Sequence, residues 1–317
     1  MATTTVFGVP HYYQITGAGL PPPHGAGPPL VFIHGWLLSH KYWQPIIDQL
    51  SLEHRCLAYD LRGFGESRYG LADHCPGTPA AAQDWGASAS PYGLGAYARD
   101  LAALLQQLNL GPVWLVGHSL GGSVALWMAH CFPELVQGVM CLNSGGGIYL
   151  EREFQQFRQA GQYIVGWRRP WLRYTLLPLL LTRMMVHRPL DYSWGRDRCL
   201  DLLQADGAAA LGTLLESTTE AEVHLLPRLV AALRQPVYFV AGRQDQVMNL
   251  RYVNHLAGYL QASRQGQNTV IEIENCGHLA MVEQPVVVAK VLQEILSAAP
   301  VAQDFSRSQA RAERAAG

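Results

Sequence analysis

Hydrophobic residues form short continuous runs that end near glycine, and these runs alternate with longer stretches whose apolar residues recur at helical spacing. The short runs predict strands at residues 30–33, 56–59, 113–116, 139–142, 237–240 and 270–273. The longer stretches predict helices at residues 42–50, 97–108, 124–131, 252–260 and 286–296. Strands that alternate with helices are typical of parallel β-α units, so the pattern predicts an α/β fold with a mostly parallel sheet.

The first 91 residues contain three segments outside this alternation. Residues 6–15 predict an opening pair of antiparallel strands, and the proline-rich segment 17–29 predicts an exposed connection. Residues 68–91 are rich in Ala, Gly, Pro and Ser and are long for a connection. They are interpreted either as a surface excursion or as the rim of a site.

A long helical segment interrupts the alternation after residue 146. Residues 147–222 have a helical pattern and no convincing strand, which predicts a helical cap inserted between two parts of the core, 1–146 and 223–298. The tail, residues 299–317, is small, polar and charged, and is expected to be disordered.

Composition narrows the class of protein. Only 15% of the residues are charged, against about 25% in an average soluble domain, and 49% are hydrophobic, which excludes a disordered chain. The formal charge of -1 leaves no basic field for nucleic acid, which is therefore excluded as a default partner. This total hides a basic segment, because nine arginines and only three acidic residues lie between positions 152 and 198.

The sequence shows no sign of a disulfide framework, a metal site, a signal peptide or a membrane span. The six cysteines show no C-x-x-C pair and no zinc-like spacing, so reduced thiols are expected, with neither a metal nor a cofactor. The N-terminus lacks the features of a signal peptide, and the apolar stretch 176–185 is too short to span a bilayer. A cytoplasmic protein is the simplest expectation.

A G-x-S-x-G sequence lies between a predicted strand and a predicted helix, with Gly117, Ser119 and Gly121 at its defining positions. A serine held on so tight a turn needs glycine two residues before and two residues after it, because side chains there would collide. The turn would raise Ser119 above the sheet at a helix N-terminus, where N–H groups face developing negative charge. Ser119 is the predicted nucleophile.

A serine nucleophile needs a histidine base that is held by a carboxylate. His278 follows the last predicted strand, and Asp245 lies just beyond the one before it. Carboxyl ends of parallel strands meet at one edge of a sheet, so both side chains are predicted near Ser119. Asp245 also has a structural interpretation, as a cap for the helix that opens near Asn249. No carboxylate follows the strand that ends near Asn143, so that alternative position for the acid is empty.

The order nucleophile, acid, base along the chain resembles that of the α/β-hydrolase family. The resemblance implies a mostly parallel, doubly wound sheet of about eight strands. It also implies an oxyanion hole from two backbone N–H groups, that of Trp36 in the His-Gly-Trp sequence after the first parallel strand and that of Leu120 after the nucleophile. His34, Asp60 and Arg62 match family loops and are interpreted as structural.

The resemblance implies a serine hydrolase that cleaves a carboxylic ester. Epoxide hydrolases and haloalkane dehalogenases of this fold carry an aspartate nucleophile, whereas this chain has Ser119. Thioesterase and C–C bond hydrolase chemistry with the same triad stay open. A third alternative is a small-molecule receptor of this fold with little turnover.

The apolar and basic residues of the predicted cap indicate which kind of substrate and surface the protein binds. Its aromatic and leucine-rich stretch, residues 167–185, is expected to give the acyl pocket an apolar roof, which favours a small, lipophilic ester as the partner. The arginines of the cap favour peripheral contact with an anionic membrane surface. The identity of the substrate and the oligomeric state stay open.

Overall fold

The computed structural model describes residues 2–17, 27–68, 90–147 and 150–298. Within these residues an eight-stranded sheet has the order β1-β2-β4-β3-β5-β6-β7-β8, in which β1–β2 and β2–β4 pair antiparallel and all other neighbours pair parallel. The strands are β1 Ala2–Val6, β2 Val9–Thr16, β3 Leu30–Ile33, β4 Cys56–Tyr59, β5 Val113–His118, β6 Val136–Leu142, β7 Val237–Gly242 and β8 Val270–Ile273. The predicted mostly parallel sheet is confirmed.

Helices cover both faces of the sheet, which is why the strands β3, β4 and β5 are buried throughout and, up to Val116 of β5, apolar. The helices outside the insertion are α1 Gln44–Leu50, α2 Leu94–Gln107, α3 Leu120–Cys131, α9 Leu250–Ala257, α10 Gln261–Arg264, α11 Ala280–Glu283 and α12 Pro285–Ala298, and the last helix before β7 is α8 Glu220–Ala232. On one face, Val31 and Ile33 of β3 belong to a core shared with α2, α3, α8 and α9. On the other face, Leu30 and Phe32 belong to a core shared with α1 and α12.

Besides a 3-10 helix at Pro170–Tyr174, five α-helices lie between β6 and β7 in the described part of the chain, where residues 150–236 contain no strand. They are α4 Glu151–Gly166, α5 Leu177–Leu181, α6 Tyr192–Gln204, α7 Gly207–Ser217 and α8 Glu220–Ala232. Three of them begin at side chains that accept a hydrogen bond from the first turn, Asp191 for α6, Asp206 for α7 and Thr219 for α8. The predicted cap boundary at residue 222 falls inside α8, whose later residues Leu226 and Val230 belong to the main core.

Several predictions lie partly or wholly outside the described residues. They are the connection 17–29 for residues 18–26, the loop 68–91 for residues 69–89, and the tail 299–317. In the part of the chain that is described, no helix combines the length and the apolar character needed to cross a membrane.

Candidate active site

Ser119 lies on the sharp turn between β5 and α3, with φ 51° and ψ −117°. A positive φ is unfavourable for a residue with a side chain, so the surrounding structure must hold it. A Cβ at Gly117 would lie 2.3 Å from the carbonyl oxygen of Gly121, and a Cβ at Gly121 would lie 2.3 Å from that of Ile33. Glycine is therefore required at both positions, as the spacing around Ser119 predicts.

Asp245 and His278 meet at the carboxyl edge of the sheet, in the loops after β7 and β8. His278 Nδ1 lies 2.7 Å from Asp245 Oδ2, and both side chains are almost fully buried. The other carboxylate oxygen accepts hydrogen bonds from the backbone N–H groups of Val247 at 2.8 Å and Met248 at 2.9 Å. The Asp245 carboxylate thus caps its own loop and holds the His278 ring at the same time.

The surroundings of Asp245 keep it ionised. Burial disfavours the charged form, but the neighbouring His278 ring and the hydrogen bonds from His278, Met248 and Asn143 outweigh this effect and hold the pKa of Asp245 below its ordinary value. A permanent carboxylate at this place favours the His278 tautomer that carries its proton on Nδ1. That tautomer leaves Nε2 as a base.

Asn143 is a site residue that the sequence reasoning did not assign. It follows β6, and its Nδ2 donates to Asp245 Oδ2 at 2.9 Å and to the carbonyl oxygen of Gly277 at 3.1 Å. Asn143 therefore joins the Asp245 carboxylate to the loop that carries His278. Its position directly after a buried strand was the signal that could have identified it, because an acid in a related site can lie there and this chain has no carboxylate at that place.

His118, directly before Ser119, is a second site residue that the sequence reasoning did not assign. Its Nε2 lies 2.7 Å from the backbone carbonyl oxygen of His278, and the two rings lie 4.8 Å apart. Burial, together with the adjacent His278 ring, lowers the pKa of His118 to about 3, so the ring is neutral and its Nε2–H donates. His118 thereby fixes the backbone of the loop that carries His278.

The three residues interpreted as structural form buried contacts with loops and neighbouring helices. His34 Nε2 accepts from the Leu61 N–H at 2.9 Å, and Asp60 accepts from the backbone N–H of His40 at 2.6 Å. Arg62 Nε donates to Asp100 Oδ2 of α2 at 2.8 Å. These contacts connect the loops after β3 and β4 to each other and to α2.

Trp36 and Leu120 flank Ser119. Trp36 follows β3, and its indole Nε1 donates to the carbonyl oxygen of Ala210 in α7 at 2.9 Å, which connects this loop to the insertion. Leu120 is the first residue of α3, where helix N–H groups lack an acceptor within the helix. Trp36 lines both cavities that reach Ser119, and Leu120 lines the smaller one.

Two cavities meet at Ser119. The larger has a volume of about 490 Å³ and is lined by Ser119, His278 and the insertion residues Phe157, Ile164, Leu181, Met184 and Met185, among others. Glu153 forms one polar edge, where its carboxylate accepts hydrogen bonds from the side chains of Arg251 and Tyr252. The smaller, of about 80 Å³, is lined by Ser119, Leu120, Ser123, Ser144 and Thr218, among others.

The insertion is attached directly to the loop of His278. The His278 N–H donates to the Met185 carbonyl oxygen at 2.8 Å. Glu283 accepts from the N–H groups of Gly277 at 2.9 Å, His187 at 3.0 Å and Arg188 at 2.7 Å. The insertion therefore helps to hold the residue that the sequence assigns as the base. Among the described residues, no three His, Cys, Asp or Glu side chains are grouped so that they could hold a metal ion.

Comparison with known proteins agrees with this architecture. The chain is 29% identical over 273 residues to a 2-succinyl-6-hydroxy-2,4-cyclohexadiene-1-carboxylate synthase of Enterobacter sp. (strain 638), covering 85% of this chain and 92% of that protein. Its fold is similar to that of a putative lipase from Acinetobacter baumannii, with TM-score 0.72, 20% identity and coverage of 93% and 90%. A thermophilic esterase from Thermogutta terrifontis gives TM-score 0.66, 21% identity and coverage of 93% and 96%. A family model described as the alpha/beta hydrolase fold matches residues 28–285, and the chain belongs to this family.

Proposed function

We propose that this protein is a serine hydrolase that cleaves a lipophilic carboxylic ester through an acyl-enzyme on Ser119. The observation that carries the proposal is the elbow geometry of Ser119, which lines the same cavity as a histidine whose Nδ1 lies 2.7 Å from a buried carboxylate. Family membership supports hydrolytic chemistry, and the esterase among the solved structures supports an ester as the substrate.

In the proposed mechanism, His278 Nε2 takes the proton of Ser119 as its oxygen attacks the ester carbonyl. Asp245 stabilises the imidazolium that forms. The N–H groups of Trp36 and Leu120 stabilise the oxyanion of the tetrahedral intermediate. His278 then protonates the leaving alcohol, and water, activated by the same base, releases the acid from Ser119.

In this proposal, one cavity binds the alcohol part of the ester and the other binds its acyl part. The leaving oxygen must lie beside the proton on His278 Nε2, and of the two cavities it is the larger that His278 lines. The alcohol therefore occupies the larger, apolar cavity, with room for about sixteen groups of water size, so in this proposal the cap covers the alcohol and not the acyl group expected from the sequence. The acyl group occupies the smaller, which holds about three. The preferred substrate is a short-chain acyl ester of a bulky lipophilic alcohol.

The test is multiple-turnover hydrolysis of p-nitrophenyl esters and acyl thioesters with acyl chains of 2 to 12 carbons, with 1-naphthyl acetate as a bulky-alcohol substrate. We expect turnover in the wild type, its loss in Ser119→Ala, and its retention in Ser297→Ala, which changes an exposed serine on α12. Absence of turnover with all substrates, or equal turnover in Ser119→Ala, would refute the hydrolase proposal. A rate that rises through the octanoyl chain would reverse only the assignment of the two cavities.

Two other activities use the same residues. C–C bond cleavage and thioester hydrolysis need the same nucleophile and base, and both stay open as alternatives. Preference for the thioester substrates would favour a thioesterase. Binding of the esters without turnover would instead favour the receptor alternative.

A further inference from the structure

The insertion carries a concentration of exposed apolar side chains. Among the described residues, seventeen large hydrophobic side chains are exposed, and ten of them lie within residues 163–185. We call these ten the apolar surface: Tyr163, Ile164, Trp167, Trp171, Tyr174, Leu176, Leu179, Leu180, Met184 and Met185. Single exposed apolar residues are normal, but a dense group on one segment is typical of an interaction site.

The composition of the apolar surface matches the interface between lipid and water. Trp167 and Trp171 are 60% and 57% exposed, and Tyr174 and Leu176 are 78% and 77% exposed. Tryptophan and tyrosine concentrate where hydrocarbon meets the polar headgroups, because their rings are apolar at one end and polar at the other. Leucines beside them supply side chains for the hydrocarbon itself.

The charge of the same segment specifies the kind of lipid. Residues 154–190 contain six arginines and no acidic residue. Arg169, Arg173 and Arg183 are exposed, and within the described part of the chain none of them forms a salt bridge. Arginines beside an apolar surface are attracted to anionic headgroups. The same charges oppose a symmetric dimer through this face, since two copies would bring like charges together.

The apolar surface and the larger cavity share residues. Ile164, Met184 and Met185 are each 38–40% exposed and also line the cavity that reaches Ser119. A lipophilic molecule in a bilayer under this surface would meet the mouth of the cavity directly. The molecule would then enter the cavity directly from the bilayer. Transfer through bulk water would be unfavourable in free energy, because it exposes apolar surface to water.

We infer that residues 163–185 dock the protein on an anionic lipid bilayer, with the arginines on the headgroups and the aromatic and leucine side chains below them. The inference rests on exposure and charge, and it holds whether or not Ser119 is a nucleophile.

The test is co-flotation of the full chain with vesicles of phosphatidylcholine alone and of phosphatidylcholine with 30% phosphatidylglycerol. We expect binding to the anionic vesicles that weakens with salt. The triple variant Trp171→Ser, Tyr174→Ser, Leu176→Ser removes three exposed side chains that line neither cavity and should lower partitioning at least tenfold. The double variant Arg169→Gln, Arg173→Gln should lower it by about fivefold per arginine.

Leu52→Ser is the matched control, since Leu52 is 77% exposed but lies outside the insertion, and its binding should equal that of the wild type. Ser119→Ala should also bind like the wild type, which separates this result from any loss of hydrolysis. Circular dichroism of each variant verifies folding. Failure of the wild type to float with anionic vesicles, equal binding by the triple variant, or a dimer in light scattering that the triple variant abolishes would each overturn the inference.

Discussion

Replacing Asp245 with asparagine exchanges one oxygen for an NH₂ group and leaves two of the four hydrogen bonds at that position without an acceptor. Four N–H donors surround the carboxylate, two on each oxygen: Val247 and Met248 on Oδ1, Asn143 and His278 on Oδ2. An asparagine amide can give only one of the two pairs an oxygen. Its NH₂ group then faces the other two donors, whichever way the amide is turned.

The size of the effect follows from these contacts. Unsatisfied buried donors cost about 1–3 kcal/mol each, so we expect Asp245→Asn to lose at least about 2 kcal/mol of unfolding free energy. If the NH₂ group faces His278, the ring must present a bare Nδ1 and carry its proton on Nε2, which removes the base. The equivalent change in a serine-protease triad lowers kcat by about 10⁴, and we expect a loss of about 10³–10⁴.

The assay is kcat for the best ester of the panel, with the folded fraction measured by circular dichroism on the same sample. Asp206→Asn is the matched control. Asp206 also accepts a backbone N–H bond at a helix start, from Ala209 at 2.8 Å, and asparagine caps a helix as well as aspartate does. The control should keep the wild-type rate. A folded Asp245→Asn protein that retained a tenth of the activity would refute the role assigned to Asp245.

Three further changes test other parts of the structure. Gly121→Ala should lower Tm by several degrees, because overpacking against the Ile33 carbonyl costs about 1–3 kcal/mol; an unchanged Tm would contradict the geometry. Burial raises the pKa of Glu222 to about 7, so the unfolding free energy should fall as pH rises from about 4.5 to about 7. Glu222→Gln should flatten this slope in urea titrations, and an equal slope would refute it. Glu283→Ala should lower kcat/KM about tenfold by freeing the Gly277 N–H, and unaltered kinetics would contradict that role.

The sequence predicted the sheet well because its central strands are buried on both faces. The central strands Leu30–Ile33 and Cys56–Tyr59 have the predicted bounds, and so does the partly exposed edge strand Val270–Ile273. The strand β5 extends two residues beyond its predicted end, to His118, because Gly117 and His118 also pair with β6. An apolar run therefore locates a buried strand accurately. It does not reveal polar residues that extend the strand beyond the run.

The start of α3 was predicted too late. The apolar spacing predicted Val124 as its first residue, whereas the helix begins at Leu120 and includes Gly121 and Gly122, which are poor helix formers. Local propensity is overridden there because the glycines allow the helix to pack closely on β3 and on Ser144. The cap boundary shows a different limit, because a boundary at residue 222 divides the continuous helix α8, whose residues Leu226 and Val230 belong to the main core.

The sequence predicted those residues of the candidate site that directly follow a strand, but not the residues that support them. Ser119, Asp245 and His278 each follow a strand, and the carboxyl ends of parallel strands meet at one edge. Asn143 and His118 act through atoms that are distant in sequence, the Asp245 carboxylate and the His278 carbonyl oxygen. Such partners depend on the packing of three loops, which a single sequence does not encode in any local pattern.

The most direct test of the central proposal is labelling of the native protein with a fluorophosphonate, followed by peptide mass spectrometry. Ser119 should carry a single stoichiometric adduct in the wild type, with labelling lost in Ser119→Ala and slowed strongly in Asp245→Asn, because only an activated serine attacks the phosphorus rapidly. An unlabelled Ser119 in folded protein, or an adduct on another serine, would contradict the assignment of Ser119 as the nucleophile.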